Sequence, residues 1–321
     1  MRRFLVTGAA GFIGSFLVEM LLANNYEVVG VDNLSNSSID NLKESYLNPR
    51  FQFFKADVCD EKQMQSLIVD FKVTEIWHLA ANTDIISSHK SPLRDFRDCA
   101  EATVKILEAM RVTGVKKIVF ASSGSVYGHL GNNRNVTESM GPLKPLSTYG
   151  AGKLASEGFI AAYANLYEIE SHIFRFGNVL GSRINHGVVY DFVNKLIKDK
   201  SRLQILGDGT QEKNYFRISD CLLGMWNISN IPIKEGKIRI LNLGNSTLTN
   251  VLRIAEICAD IAGASKVKIE LEGKPLAWPG DQPIIRLDCS LAYTYGWKCL
   301  EDSDESVRKT AEELFAKNRN A

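Results

Sequence analysis

Apolar residues in the first half of the chain come in short runs, separated by stretches with helical spacing. "RFLVTG" (3–8), "EVVGVD" (27–32), "FQFFKADV" (51–58), "EIWHLAA" (75–81), "KKIVFASS" (116–123) and "ESHIFRFGNV" (170–179) show little polar alternation. Strands read this way when both faces of their sheet are covered. Between them, residues 12–24, 61–71, 93–113 and a segment opening at 149 repeat apolar positions at helical period. This β-α-β-α order predicts an α/β fold built on a doubly wound parallel sheet. After residue 180 the pattern loosens. Helical stretches near 188–199, 218–229, 249–263 and 305–317 are separated by loops such as "LGDGTQEKN" (206–214) and "GKPLAWPGDQP" (273–283). The expected division is a sheet domain over 1–180 and a smaller lobe over 181–321, parts of which return to the sheet.

Composition narrows the partners. With 321 residues, 45% of them hydrophobic, the chain can bury a large α/β core and a second lobe. A formal net charge of +1 gives no electrostatic reason to expect nucleic acid or an anionic membrane as partner. Six cysteines stand at 59, 99, 221, 258, 289 and 299, without a C-x-x-C pair or a histidine cluster at ligand spacing. No metal site and no disulfide framework is therefore expected, and the thiols suit a reducing compartment. The opening "MRRFLVTGAAG" enters a strand without the apolar region of a signal peptide. No apolar run approaches the roughly 18 residues that span a bilayer. A soluble, cytoplasmic protein is expected.

Chemistry first shows in "VTGAAGFIG". Gly8, Gly11 and Gly14 follow the first strand directly and open a helix at Phe12 and Ile13. The G-x-x-G-x-x-G spacing is one residue off the usual dinucleotide fingerprint, but the physics is shared: a tight turn, close backbone approach to a pyrophosphate, and a helix N-terminus that favours anions. Asp32 ends the second strand, 18 positions past Gly14, where a carboxylate can accept from adenosine ribose hydroxyls. It would repel a 2′-phosphate, so NAD is expected over NADP. Asp57, followed by Val58, ends the third strand in a place from which it could meet the adenine amino group. In register, these features predict a Rossmann-type NAD site.

Another stretch, "STYGAGK" (147–153), sets Tyr149 and Lys153 four residues apart on one helical face, with two glycines between them. "ASSGSVYG" (121–128) ends a strand with Ser122, Ser123 and Ser125, where open α/β sheets bind ligands. With the glycines, Asp32, Asp57, Tyr149 and Lys153 in order, the chain resembles the extended short-chain dehydrogenase/reductases. Within that group it is similar, nearly end to end, to the NAD-dependent nucleotide-sugar epimerases and dehydratases, the UDP-glucose (galactose) 4-epimerases above all. "VDNLSNSS", "HLAA" and "GDGTQEKNY" match that family's ribose loop, nicotinamide-side strand and phosphate loop. The resemblance implies that Asn33 and Asn36 join Asp32 at the ribose, and that Leu79, Ala80, Ala81 and Thr83 line the cofactor. It makes Tyr149 the catalytic base, Lys153 its partner and a ligand of the nicotinamide ribose, and Ser123 a proton relay to the sugar. A free tyrosine with pKa about 10 is a poor base at neutral pH; lowering it by roughly 3 units takes about 4 kcal/mol of preferential tyrosinate stabilisation. Lys153 and the positive nicotinamide ring are expected to supply it.

The same scaffold serves dehydratases and decarboxylases, which carry acids just after the catalytic serine or threonine. Here those positions are Gly124 and Ser125, neither of them an acid. The expected function is thus 4-epimerisation of a UDP-hexose such as UDP-glucose or UDP-galactose, through a transient 4-keto sugar. UDP-glucuronate 4-epimerisation, or a decarboxylase, dehydratase or reductase of UDP-sugars, stays open as the alternative. By resemblance Ser125, Asn178, Gln204, Lys213, Tyr215 and Asp281 contact the substrate. Lys213 and Trp278 stand where the family has phosphate-binding arginines, and a lysine is only a point charge at phosphate. Arg183 either compensates or pairs with a uronate carboxylate. Cys99 takes a place that is usually asparagine and is read as packing. His78 is read as a satisfied core histidine, and His129 and His186 as loop residues near the cleft. The resemblance also implies a homodimer through helices 93–113 and 149–166.

Overall fold

A computed structural model describes residues 2–131, 135–274 and 276–319. The alternating elements open with β1 (Arg3–Thr7), α1 (Phe12–Ala23), β2 (Glu27–Asp32), β3 (Phe51–Lys55), α2 (Glu61–Asp70) and β4 (Glu75–His78). They continue with α3 (Ala102–Thr113), β5 (Lys117–Ser123), α4 (Thr148–Tyr167), β6 (Glu170–Phe176) and β7 (Asn178–Leu180). After them come α5 (Val188–Lys198), β8 (Arg202–Ile205), β9 (Glu212–Lys213), β10 (Tyr215–Arg217), α6 (Ile218–Ser229) and β11 (Ile238–Leu243). The chain closes with β12 (Thr249–Asn250), α7 (Val251–Ala262), β13 (Lys268–Leu271), β14 (Ile284–Ile285) and α8 (Ser303–Arg319).

One seven-stranded sheet runs in the order β11-β6-β5-β4-β1-β2-β3. β1 pairs in parallel with β2 and with β4, so the winding direction reverses between β1 and β4. Ligands of doubly wound sheets bind at that crevice, beyond the carboxyl ends of the strands. Leu5, Val29, Val31, Ile76, Ile118, Phe120 and Ile173 form one core with Met64 and Leu67 of α2, Ile106 and Leu107 of α3, and Ile160 of α4. Alternate strand residues such as Phe4 and Val6 point to the other face, where α1 buries Leu17, Val18, Leu21 and Leu22. Burial on both faces accounts for the weak polar alternation of these strands.

Two compact units interleave along the chain. The first holds 1–123, 148–175 and 229–240, and the second 124–147, 176–228 and 241–321. Segments 124–147 and 229–240 are each flanked on both sides by residues of the other unit. Segment 124–147 joins the second unit through long-range bonds. Tyr127 donates to Asn242 Oδ1 at 2.7 Å, and Asn242 Nδ2 donates to the Val136 and Asp288 carbonyls at 2.9 Å each. In that unit β7 pairs with β10, β8 with β13, and β9 with β12 and β14. Helices α5, α7 and α8 pack together through buried residues such as Phe192, Ile254, Ile257, Val307 and Leu314.

Two expected elements are broken. The helix expected over 93–113 starts as a turn, Pro92–Asp95, widens to a π-helix over Phe96–Glu101, and becomes α3 at Ala102. Side chains compete for its backbone: the Cys99 carbonyl accepts from Thr103 Oγ1 at 2.7 Å and from Ser156 Oγ of α4 at 3.2 Å. The strand expected over 170–179 is interrupted at Gly177, which separates β6 from β7.

Candidate active site

The glycine turn is built so that backbone meets backbone. Gly8 has φ +69°, and a Cβ there would lie 2.9 Å from the Ala80 nitrogen. Gly11 N donates back to the Gly8 carbonyl at 3.0 Å, which closes the turn. Gly11 then caps α1 with no side-chain hydrogen bond, leaving the N–H groups at the helix start for a ligand. Asp32 fastens this turn to the end of β2. Its Oδ2 accepts from Ala10 N at 3.0 Å, and its Oδ1 accepts from Leu34 N at 2.8 Å and Ser37 Oγ at 2.7 Å. A carboxylate offers about four acceptor sites, so one is left for a ribose hydroxyl. The cradle and its acid fit the pyrophosphate and adenosine ribose of NAD. Asn33 and Thr83 are exposed, and Leu79, Ala80 and Ala81 are half-buried. Asp57 is engaged by the Cys59 N–H at 2.9 Å and by Arg97 at 2.6 Å. Burial pushes its carboxyl up, but those two donors outweigh burial and hold it below the ordinary range.

Ser123, Tyr149 and Lys153 come together in the first unit. Tyr149 and Lys153 lie on the first two turns of α4 and are both buried. The Ser123 side chain, at the end of β5, hydrogen-bonds Tyr149. Lys153 Nζ donates to the Ala121 carbonyl at 2.7 Å and sits 4.7 Å over the Phe120 ring and 5.9 Å over the Tyr149 ring. Gly152 explains one of the glycines between the pair. A Cβ there would fall 2.9 Å from Cys99 Cβ and 3.1 Å from the Asp95 carbonyl, so its absence lets α4 lie directly on the π-helical segment.

The protein's own groups hold the proton on Tyr149. Burial pushes the Tyr149 hydroxyl well above the ordinary phenol value; electrostatic interaction with Cys99 and Asp95 adds to this, and the Ser123 hydrogen bond opposes it. Burial likewise lowers Lys153, against Cys99 and Glu157. The protein groups alone therefore favour a neutral phenol, because burial and the neighbouring acidic side chains outweigh the Ser123 hydrogen bond. His78 is a core histidine, as expected. It is bonded to Thr7 Oγ1 at 2.7 Å and Thr103 Oγ1 at 3.2 Å, and burial, then Lys153, pushes it down to about 3. Cys99 is buried and its thiol is pushed up by burial, which suits packing rather than nucleophilic attack.

The second unit assembles another polar cluster. Lys213 Nζ lies 3.3 Å from Asp281 Oδ1 and 5.3 Å from the centre of the Trp278 ring. Tyr215 pairs in register with Asn178, and its hydroxyl is pushed up by burial and then by Asp281. Asn178 Nδ2 donates to the Asn214 carbonyl at 3.2 Å.

The model of the "NAD dependent epimerase/dehydratase family" matches residues 4–244. The chain belongs to the NAD dependent epimerase/dehydratase family. It is 36% identical to a UDP-glucose 4-epimerase of Mycolicibacterium smegmatis, over 99% of both chains. It is 34% identical to a putative UDP-glucose 4-epimerase of Methanocaldococcus jannaschii, over 98% of this chain and 99% of that one. The crystal structure of a Thermotoga maritima UDP-glucose 4-epimerase with UDP-glucose superposes with TM-score 0.87 at 28% identity, covering 99% of each chain.

Within the family framework the remaining expected residues lie as follows. Phe12 and Ile13 open α1 half-buried, and Val58 is buried beside Asp57. Asn36 is tied to Asn82 at 3.1 Å. Ser125 and Arg183 are half-buried, whereas Gln204 is exposed between the buried Leu203 and Ile205 of β8. His129 and His186 are exposed. Sequence reasoning missed Asn82, Asp95 and Thr148 beside Tyr149 and Lys153, and the ion pair between Glu157 and Arg175 behind them. Thr148, one residue before Tyr149 at a helix start, was the one available signal. Among the described residues no cluster of metal-ligating side chains occurs, no helix is long and apolar enough to cross a membrane, and all six cysteines are free thiols.

Proposed function

We propose that this protein is a UDP-sugar 4-epimerase that interconverts UDP-glucose and UDP-galactose, with Tyr149 as acid–base group. The observation that carries the reading is the grouping of Ser123, Tyr149 and Lys153 next to a dinucleotide cradle, with no acid at the two positions after Ser123. A Cβ on Gly124 would already lie 3.2 Å from the Phe176 carbonyl and 3.3 Å from Leu287 Cδ2. Little room exists there for the carboxyl group that an elimination of water needs.

NAD would be held by the turn of Gly8, Gly11 and Gly14 with the start of α1 at Phe12 and Ile13, by Asp32, Asn33 and Asn36 at the adenosine ribose, by Asp57 and Val58 near adenine, and by Leu79, Ala80, Ala81 and Thr83. When bound, NAD supplies a hydride acceptor and a positively charged ring. That charge is the field Tyr149 needs, since burial otherwise holds its proton. Tyr149 then takes the sugar 4-hydroxyl proton, directly or through Ser123, and returns it after the sugar has presented its other face. Lys153 would hold the nicotinamide ribose and complete the field. We assign Asn178, Lys213, Tyr215 and Asp281 to the nucleotide diphosphate, with Ser125, Arg183 and Gln204 as further substrate contacts. Trp278, beneath the Lys213 ammonium, replaces a charged phosphate contact with an aromatic one.

The reading extends to a cytoplasmic homodimer. Phe159 and Leu166 on α4, Val112 on α3, and Leu93 and Phe96 just before α3 are exposed large apolar groups, as a helix-to-helix contact between two copies requires. Free thiols suit a reducing compartment.

The test is incubation of the protein with UDP-glucose, UDP-galactose, their N-acetyl forms, UDP-glucuronate and dTDP-glucose, followed by chromatography with mass detection. A new peak of unchanged mass from UDP-glucose or UDP-galactose, absent with Tyr149→Phe, is expected. Loss of water or carbon dioxide, or turnover that survives Tyr149→Phe, would overturn the reading.

A further inference from the structure

One buried carboxylate beside the catalytic pair has no role in the chemistry above. Asp95 is fully buried and closes the turn just ahead of the π-helical segment. Its Oδ2 accepts from Thr148 Oγ1 at 2.5 Å, and Thr148 is the first residue of α4, immediately before Tyr149. Its Oδ1 accepts from Asn82 Nδ2 at 2.7 Å. Asn82 is itself buried and accepts at Oδ1 from Asn36 Nδ2 at 3.1 Å and from Asp84 N at 3.3 Å. Asn36 lies in the loop after β2, and its Oδ1 accepts from Arg94 at 3.0 Å. The backbone adds a second attachment, since a Cβ on Gly152 would lie 3.1 Å from the Asp95 carbonyl.

A buried carboxylate whose donors here are neutral is costly to keep. Its charge also opposes ionisation of the neighbouring Tyr149, the wrong sign for a group that serves the base electrostatically. What the carboxylate secures is geometry. One carboxylate has two oxygens at fixed separation, and here each receives a donor from a different segment. We propose that Asp95 is a positioning residue for Tyr149: it ties the first turn of α4 to the loop after β2, through Thr148 on one side and Asn82 and Asn36 on the other. The base and the loop assigned to the adenosine ribose are thereby held in one register. This inference rests on the epimerase reading for its activity readout but not for its structural one.

The charged and titratable groups around Tyr149 fix the sign of the pH effect. Cys99 and Asp95 face it from the 92–101 segment, Ser123 from β5, and Lys153 from its own helix; Glu157 and Cys99 act on Lys153, and His78 is held neutral by burial. Removing the Asp95 charge eases loss of the Tyr149 proton, so the acid limb of kcat moves to lower pH.

The experiment uses NAD-loaded protein with Thr148→Val, which deletes the donor and keeps the shape, and Asp95→Asn, which deletes the charge. Thr148→Val should lower kcat on the order of 10- to 100-fold with KM changed less than about twofold, the signature of a misplaced catalytic group. Amide exchange at 148–153 should rise by about tenfold in both variants, with β5 and the last turns of α4 unaffected. Asp95→Asn should in addition shift the acid limb downward. Wild-type kcat in Thr148→Val, or exchange that rises evenly through α4 with no shift of the limb in Asp95→Asn, would overturn the inference. If the unaltered protein converts no sugar while exchange still rises only at 148–153, the tie stands and the epimerase reading falls.

Discussion

At position 14 a methyl group would lie 2.0 Å from the Gly8 carbonyl oxygen and 3.0 Å from the Ala9 Cα. Both are backbone atoms of the turn that presents the N–H groups at the start of α1, so no rotamer change can relieve the clash. Gly14→Ala should therefore destabilise the protein by about 1–3 kcal/mol or more and strip NAD from it. Thermal unfolding and the nucleotide content of the purified protein check this; a variant with wild-type Tm and full NAD would refute the close approach. Such positions are legible in a sequence because backbone geometry demands one residue type. Asp32 is legible for a related reason, standing at a strand end a fixed distance past the turn. Asp95 is not, since nothing local marks a carboxylate whose partners lie 13 residues before it and 53 after it. The Tyr149–Lys153 spacing was readable, but not the balance of burial against charge at its hydroxyl, which depends on packing.

At the scale of elements, α4 must hold Tyr149 and Lys153 against the end of β5, and a buried ion pair does this from behind. Glu157 accepts from Ser122 Oγ of β5 at 2.5 Å and from Arg175 of β6 at 2.7 and 3.0 Å, with both charged side chains 5% exposed. Serines 122 and 123 point to opposite sides of the strand, so one braces the helix while its neighbour meets Tyr149. Removing one partner strands a charge in the core. Arg175→Met should cost about 3–5 kcal/mol. The double variant Glu157→Gln with Arg175→Met should recover a large part of that, because a polar amide can still take the Ser122 bond. Denaturant unfolding of the two variants decides it: equal losses in both would mean that Arg175 acts through packing and not through its charge. Strand and helix limits were largely readable from periodicity. The π-helical turn at 96–101 was not: its Cys99 carbonyl accepts from the hydroxyls of Thr103 and of Ser156 on another helix, and no local pattern announces that pairing.

For the whole molecule, the class of fold follows from the alternation of elements, while the strand order and the interleaving of the two units do not. Segment 124–147 joins the second unit through Tyr127, Val136 and Asn242, over separations of 106 and 115 residues that no local pattern announces. The outer face of α4 is more informative. Phe159 and Leu166, seven residues apart on one helical face, are 45% and 70% exposed, and Val112 on the neighbouring α3 is 55% exposed. Exposed apolar groups scattered singly need no explanation, but rows along adjacent helices do. If this face pairs with its copy, sedimentation should give a dimer of a 35.7 kDa chain. A charge placed in the seam should then break it: Leu166→Glu, or Val112→Glu, should give monomers at micromolar concentration while far-ultraviolet circular dichroism stays unchanged. Because neither residue touches the Ser123–Tyr149–Lys153 group, any loss of turnover on dissociation would show that pairing steadies α3 and α4 rather than completing the chemistry. A single 35.7 kDa species from the unaltered protein would leave those exposed side chains without a partner of their own kind, and the homodimer would have to be abandoned.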